Sequence, residues 1–482
     1  MKTLASLLTF GVALAAAAQP SLTIYNQNFA VVRDTVALDL KAGVNEVRFA
    51  GATAHVEPDS VILRDAAGKR ALQILEQNYR NDPVSQELLL SLNEGKTIDF
   101  QNERLNNNTT VREIIPGKII RSGFVPGGGN EQPIIEVGGK LQFTLPGQPL
   151  FPSLGDDTIL KPAFNWLLKS PDAGKVNAEV GYVTGGFSWE ADYNLVAPET
   201  GDFVDVLGWV TVNNQSGTTF RDAKIKLMAG DVQKMQPHMP MGAMRARRIT
   251  TLSMDRDAAA EPAVTEKSFD EFHLYSVARP TTLRDRETKQ VEFVRAERVK
   301  APAIYIYDGA AGMGFYGGVN NDRGYGAETG NKKVTVMREF VNAETNHLGI
   351  ALPAGKLRFY RSNDGGQLEF TGEDRIDHTP RNETVRVSTG HAFDLVGERK
   401  QTNFRVDTDA KVMNETFEIK LRNRKKEPVT MRVVEHLYRW SGWKITAKSA
   451  EFTKKDAQTI EFNVPVSADG ETTVTYTVHY EW

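Results

Sequence analysis

The last ten residues, Thr473-Val-Thr-Tyr-Thr-Val-His-Tyr-Glu-Trp482, alternate strictly and place Val474, Tyr476, Val478, Tyr480 and Trp482 on one face. A period of two suits a half-buried strand and no helix. The same signal opens the chain: Ser21–Tyr25, Phe29–Val32, Thr35–Leu40, Val44–Phe49 and Ser60–Leu63 are short and β-branched or alternating, with Asn, Asp and Gly between them. Helical periodicity is scarce. Two short helices are expected, near Pro83–Leu92 and near Pro162–Lys169. The pattern predicts a mostly β protein of two or three β-sandwich-like domains with few short helices. An aromatic-ended last strand also fits a membrane barrel, but a barrel needs many strands of about ten residues with a lipid-facing apolar band. The rest of the chain is too irregular and too charged for that, so the tail reads as an edge strand of a sandwich.

Length sets the domain count, because 482 residues exceed what one core of roughly 250–300 residues can serve. Residues 1–18 read as a Sec-type signal peptide: Lys2, an apolar run from Leu4 to Ala15, and Ala16-Ala17-Ala18 as cleavage site, leaving Gln19 first. No other apolar run approaches the roughly 20 residues of a membrane span. The expectation is an exported protein without a transmembrane helix, in the periplasm or the cell envelope. An N-terminal β domain is expected over 19–120, a Gly/Pro-rich connection over 121–160, a central β domain over 161–331 and a C-terminal β domain over 332–482. Within the central domain, 233–262 reads as a mobile loop, and Asp308–Asn331 is a Gly/aromatic loop. The basic run Arg422–Lys426 reads as a solvated hairpin turn.

Composition excludes several chemistries. With no cysteine there are no disulfides, thiolate metal sites or cysteine nucleophiles. A net charge of -3 argues against nucleic acid as a partner. There is no H-E-x-x-H, no G-x-S-x-G and no P-loop lysine motif.

Several strings resemble one bacterial family, the domain-of-unknown-function 4139 family. They include Leu22–Ala30, Ile74–Tyr79 with Asp82, Trp189-x-x-x-Tyr193, Asn213–Gly217 running to Leu227-x-Ala-Gly230, and Phe272–Tyr275. Leu352–Lys356, Gly372–Pro380 and Gly390–Asp394 complete the set. The resemblance covers nearly all of the chain after the leader. It implies a mostly β exported protein and no established reaction. One relative in this family is a trimeric collar subunit of a bacterial surface-layer complex, to which copper-only superoxide dismutation has been ascribed. That likeness implies a homo-oligomer, as a trimer, among other envelope or surface-layer proteins, with copper as cofactor and a superoxide-dismutase-type activity. No copper ligand carries over residue by residue.

Three constellations could carry chemistry. Met235, His238, Met239, Met241 and Met244 are soft donors suited to Cu(I) on one loop, although Arg245, Arg247 and Arg248 adjoin them. Among the eight histidines, His378, His391, His436 and His479 are the first candidates for copper ligands. His378 and His391 flank a strand and could approach across a hairpin, and His436 and His479 lie on two late strands that could pair. Asp377 would orient His378 as the catalytic acid–base residue. In the third, Glu373 and Asp374 beside His378 raise hydrolysis of an envelope polymer, although Asp377-His-Thr-Pro380 also reads as turn chemistry. The leading expectation is an envelope structural or assembly subunit with copper-dependent superoxide quenching. A purely non-catalytic scaffold and a polymer hydrolase are the alternatives.

Overall fold

The computed structural model describes residues 19–106, 109–125, 131–152, 154, 158–230, 232–234, 264–269, 272–314, 317–327 and 330–482. Among these, strands dominate and there is one α-helix, Gln86–Leu92. The mostly β expectation holds. So does the first short helix, whose Ser85 side chain accepts from the Leu88 N–H at 3.2 Å. The signal-peptide residues lie outside the described set, as do Met235, His238, Met239, Met241 and Met244. Among the described residues no helix is long and apolar enough to cross a membrane.

The chain forms two compact units that interleave in sequence: 1–188 with 213–225 and 280–287, and 189–212 with 226–279 and 288–482. In the first unit Ser21–Tyr25 and Phe29–Leu40 make a hairpin, and Phe29–Leu40 pairs along its length with Gly174–Gly185. Their inward face carries Leu22, Ile24, Val32, Leu38, Ala178 and Val180, all buried. A three-stranded sheet, with Ala163–Ser170 between Gly43–Ala50 and Gln73–Arg80, supplies the opposing layer. Phe164 of that sheet meets Tyr182 of the other with ring centroids 6.2 Å apart. A five-stranded sheet centred on Thr109–Arg121 packs Ile98, Phe100, Ile119 and Ile135 with Leu90 of the helix.

Ala163–Ser170 corrects the second helix expected near Pro162–Lys169. Phe164, Trp166, Leu168 and Ser170 are buried in strict alternation, and both strand edges are hydrogen-bonded to neighbours. An eight-residue segment with five apolar residues, two of them aromatic, suits a central strand, and the tertiary pairing decided between the two periods.

The second unit holds a five-stranded sheet and a nine-stranded one. In the five-stranded sheet Phe187–Ala197 pairs in parallel with Gly355–Ser362. Trp189 and Tyr193 pack there with Tyr275 and Phe293 at centroid distances of 5.6–6.3 Å. The nine-stranded sheet contains the core of the C-terminal region. Its strands include Ala303–Asp308, Lys333–Val341, the 24-residue Thr384–Asp407, Val412–Asn423, Val429–His436, Thr459–Val466 and Glu471–Glu481. Val474, Tyr476, Val478 and Tyr480 are buried as the alternation predicts. Glu471–Glu481 is not an edge strand, however: it lies between Val412–Asn423 and Trp443–Lys448. Arg422–Lys426 is not a hairpin turn either, because Val412–Asn423 and Val429–His436 are separated in the sheet by three other strands. Lys425 is half-buried, with its Nζ 2.7 Å from the Tyr305 hydroxyl.

Candidate functional site

Alternation along the nine-stranded sheet buries one residue in two, and at four positions the buried residue is charged: Arg338 on Lys333–Val341, whose Nη1 donates to Ala301 O at 2.8 Å, and three on other strands. On Val412–Asn423 the inward series is Met413, Glu415, Phe417, Ile419 and Leu421. On Val429–His436 it is Val429, Met431, Val433 and Glu435. On Thr384–Asp407 it runs Leu395, Gly397 and Arg399. Register thus carries two carboxylates and a guanidinium into an otherwise apolar core, where each needs a partner.

Arg399 and Glu435 supply one pair. Arg399 Nε lies 3.0 and 2.9 Å from the two Glu435 carboxylate oxygens, and the Tyr476 hydroxyl donates to Oε2 at 2.5 Å. The guanidinium carbon sits 3.8 Å over the Phe417 ring. Burial works against the charge on Arg399, but the Glu435 carboxylate outweighs it and holds the guanidinium above its usual range. Two glycines make room. A Cβ on Gly397 would stand 2.2 Å from the Tyr307 ring, and one on Gly309 would stand 2.7 Å from Arg399 Cδ.

Arg439 and Glu415 supply the second pair, Nε to Oε1 at 2.7 Å, with Gln401 Nε2 donating to the same oxygen at 2.7 Å. Burial pushes the Glu415 carboxyl up, against the pull of Arg439. The remaining Arg439 donors reach the Gly/aromatic loop. Nη1 donates to Asn320 O at 3.1 Å and Asp322 O at 2.6 Å, and Nη2 to Tyr325 O at 2.7 Å. Arg399 Nη1 donates to Gly326 O. Asn320 N donates in turn to Arg439 O at 3.0 Å. The two buried arginines therefore fasten residues 320–326 by their backbone, leaving Asn321, Asp322, Arg323 and Gly324 exposed.

The four candidate histidines do not converge. His378 is exposed, and its Nδ1 accepts from Ala354 N at 3.1 Å. His391 is exposed on Thr384–Asp407, opposite Thr335. His479 Nδ1 lies 3.0 Å from Asn414 Oδ1. His436 is half-buried beside the Arg399 pair: Nε2 lies 2.8 Å from Asp308 Oδ2, and the ring stacks on Tyr438 at 4.9 Å. That bond raises the His436 pKa, and burial opposes it. Its Nδ1 is buried with no hydrogen-bond partner among the described residues. The strands of His436 and His479, which could have paired, do not; the first pairs with Ala303–Asp308 and Thr459–Val466. Among the described residues no three His, Asp or Glu side chains converge as metal ligands.

The acidic segment carries local structure. Asp374 accepts from Arg375 N at 2.9 Å and from Ser388 N at 2.6 Å. Glu373 faces Arg358 at 3.8 Å. Asp377 is exposed, and its carbonyl accepts from the Thr379 hydroxyl at 2.8 Å.

Sequence reasoning passed over Arg399, Glu415, Glu435 and Arg439. The signal was there for the two acids and Arg399, since each sits in phase with the apolar residues of its strand. No curated protein matches the chain. The model of the family described as Domain of unknown function (DUF4139) matches residues 178–482, more than half the chain and including both buried Arg–Glu pairs, so the chain belongs to the domain-of-unknown-function 4139 family.

Proposed function

We propose that this chain is a structural or assembly subunit of the cell envelope, self-associating among other exported proteins, with residues 320–326 as a presented contact surface. The observation that carries the reading is the fastening of that segment by Arg399 and Arg439. Four guanidinium hydrogen bonds go to loop carbonyls, so the donors hold a surface in shape and none of these four serves a ligand. Exposed loops on a rigid β scaffold commonly carry recognition. The leader-like residues 1–18 support the compartment, and the lack of a catalytic motif supports a non-catalytic role. Sedimentation of the full chain across a concentration range tests it. A homo-oligomer is expected, a trimer by the family likeness, reverting toward monomer in Asp322→Arg/Arg323→Glu. A wild-type protein monomeric at every concentration sinks the proposal.

Copper-dependent superoxide quenching is the second reading, on the soft donor set Met235, His238, Met239, Met241 and Met244. Bound there, copper would supply one-electron redox chemistry. Metal content by mass spectrometry of untagged protein, with superoxide consumption on the same sample, decides it. Copper absent after reconstitution removes this reading and leaves the first intact.

A further inference from the structure

The three-stranded sheet of the first unit turns its aromatic side inward and a polar side outward. Inside, Phe49, Trp166, Phe164 and Tyr79 form a continuous row, with successive ring centroids 5.8, 5.3 and 5.1 Å apart. Outside, the register lines up two rows across all three strands. Arg48, Asn165 and Asn78 form one, and Glu46, Leu167 and Glu76 form the next. These six residues line a depression of about 400 Å³. Strands stand about 5 Å apart and alternate residues about 7 Å apart along a strand, so the polar groups form a fixed grid.

None of the five polar side chains in the grid makes a hydrogen bond or ion pair to another described residue. Gln77, between Glu76 and Asn78 in the chain, behaves differently: its side chain accepts from Trp166 Nε1 at 2.9 Å. In the grid two carboxylates can only accept, a guanidinium can only donate, and two amides do both. A polyhydroxylated ligand, whose every hydroxyl both donates and accepts, matches that set. Two carboxylates against one guanidinium disfavour an anion. Half-buried Leu167 between the carboxylates offers a small apolar seat for the C–H face of a sugar ring. The volume suits a ligand of one to a few rings.

We propose that this face is a saccharide-binding site for a neutral or amino-bearing oligosaccharide, read by Arg48, Asn165, Asn78, Glu46 and Glu76. Titration calorimetry of the full chain with chitotetraose, cellotetraose and maltotetraose, each alone, tests it. Saturable binding of at least one is expected. The double change Asn78→Ala/Asn165→Ala should weaken that binding about tenfold or more. Because these amides bond no other described residue, the thermal midpoint of the double variant should stay near wild type, which keeps a loss of binding separate from a loss of fold. No saturable binding to any of the three sugars overturns the proposal. So does binding that the double variant leaves unchanged, and so does a preference for dextran sulfate over the neutral sugars.

Discussion

Arg399 and Glu435 form an ion pair closed to solvent, with side chains 3% and 0% exposed and Nε within 3.0 Å of both carboxylate oxygens. They come from strands that are not neighbours in the sheet, Thr384–Asp407 and Val429–His436. The pair therefore ties together parts of the nine-stranded sheet that backbone hydrogen bonds do not join directly.

Breaking that pair from one side leaves a buried charge without its partner. Arg399→Met and Glu435→Leu should each cost about 3–5 kcal/mol in urea unfolding. The double variant should be far less destabilised than the sum, since both charges leave together. Additive single effects would show that the two residues act independently.

Arg439 anchors three carbonyls of the 320–325 segment while it neutralises Glu415. Arg439→Ala should release that segment, and trypsin should then cut after exposed Arg323, where the native chain resists. Mapping the first tryptic fragments by mass spectrometry checks this. The companion change Glu415→Gln keeps the hydrogen-bond acceptor and should leave Arg323 protected, provided the variant stays folded by circular dichroism.

His436 predicts a pH dependence with a definite sign. Asp308 raises its folded pKa above the unfolded value of about 6.5. Its contribution to stability is thus fully present below about pH 6.5 and is lost as pH rises through the folded value. The negative charges of Glu435 and Asp456 also favour the charged form of the ring. Titration of the His436 ring by NMR should give a raised pKa, and Asp308→Asn should lower it. An unchanged value in Asp308→Asn would refute the assignment.

Asn214 and Asn423 repeat one device at two strand ends. Each buried amide donates to the carbonyl four residues on, Thr218 or Glu427, and accepts from the N–H two residues on, Ser216 or Lys425. Each also donates to two carbonyls of a distant segment, Leu283 and Arg284 or Val466 and Ser467. Replacing either by Ala should cost about 2–4 kcal/mol, because buried backbone groups lose partners. Asn→Asp should cost a similar amount, since the carboxylate cannot donate. Chemical denaturation of the four single variants measures both.

What the amino-acid sequence determines by itself is local. A side-chain period of two at Thr473–Trp482 or Val412–Asn423 dictates a strand and names its buried face, because alternate residues must point opposite ways. Pro83 ahead of Gln86–Leu92 and Gly95 beyond it mark the one α-helix among the described residues, because start and stop signals need only neighbours in the chain. Only the tertiary structure decided that Ala163–Ser170 is a strand, since a short, mostly apolar segment suits either state until partners on both sides claim its hydrogen bonds. It alone decided that Glu471–Glu481 lies inside its sheet, and that the strands of His436 and His479 pair elsewhere, because strand order is set by long-range pairing. The same holds for the site: Glu415, Glu435 and Arg399 stand out in sequence as charges in an apolar phase. Which arginine meets which glutamate, and which loop the spare donors hold, exists only once strands far apart in sequence close over one core.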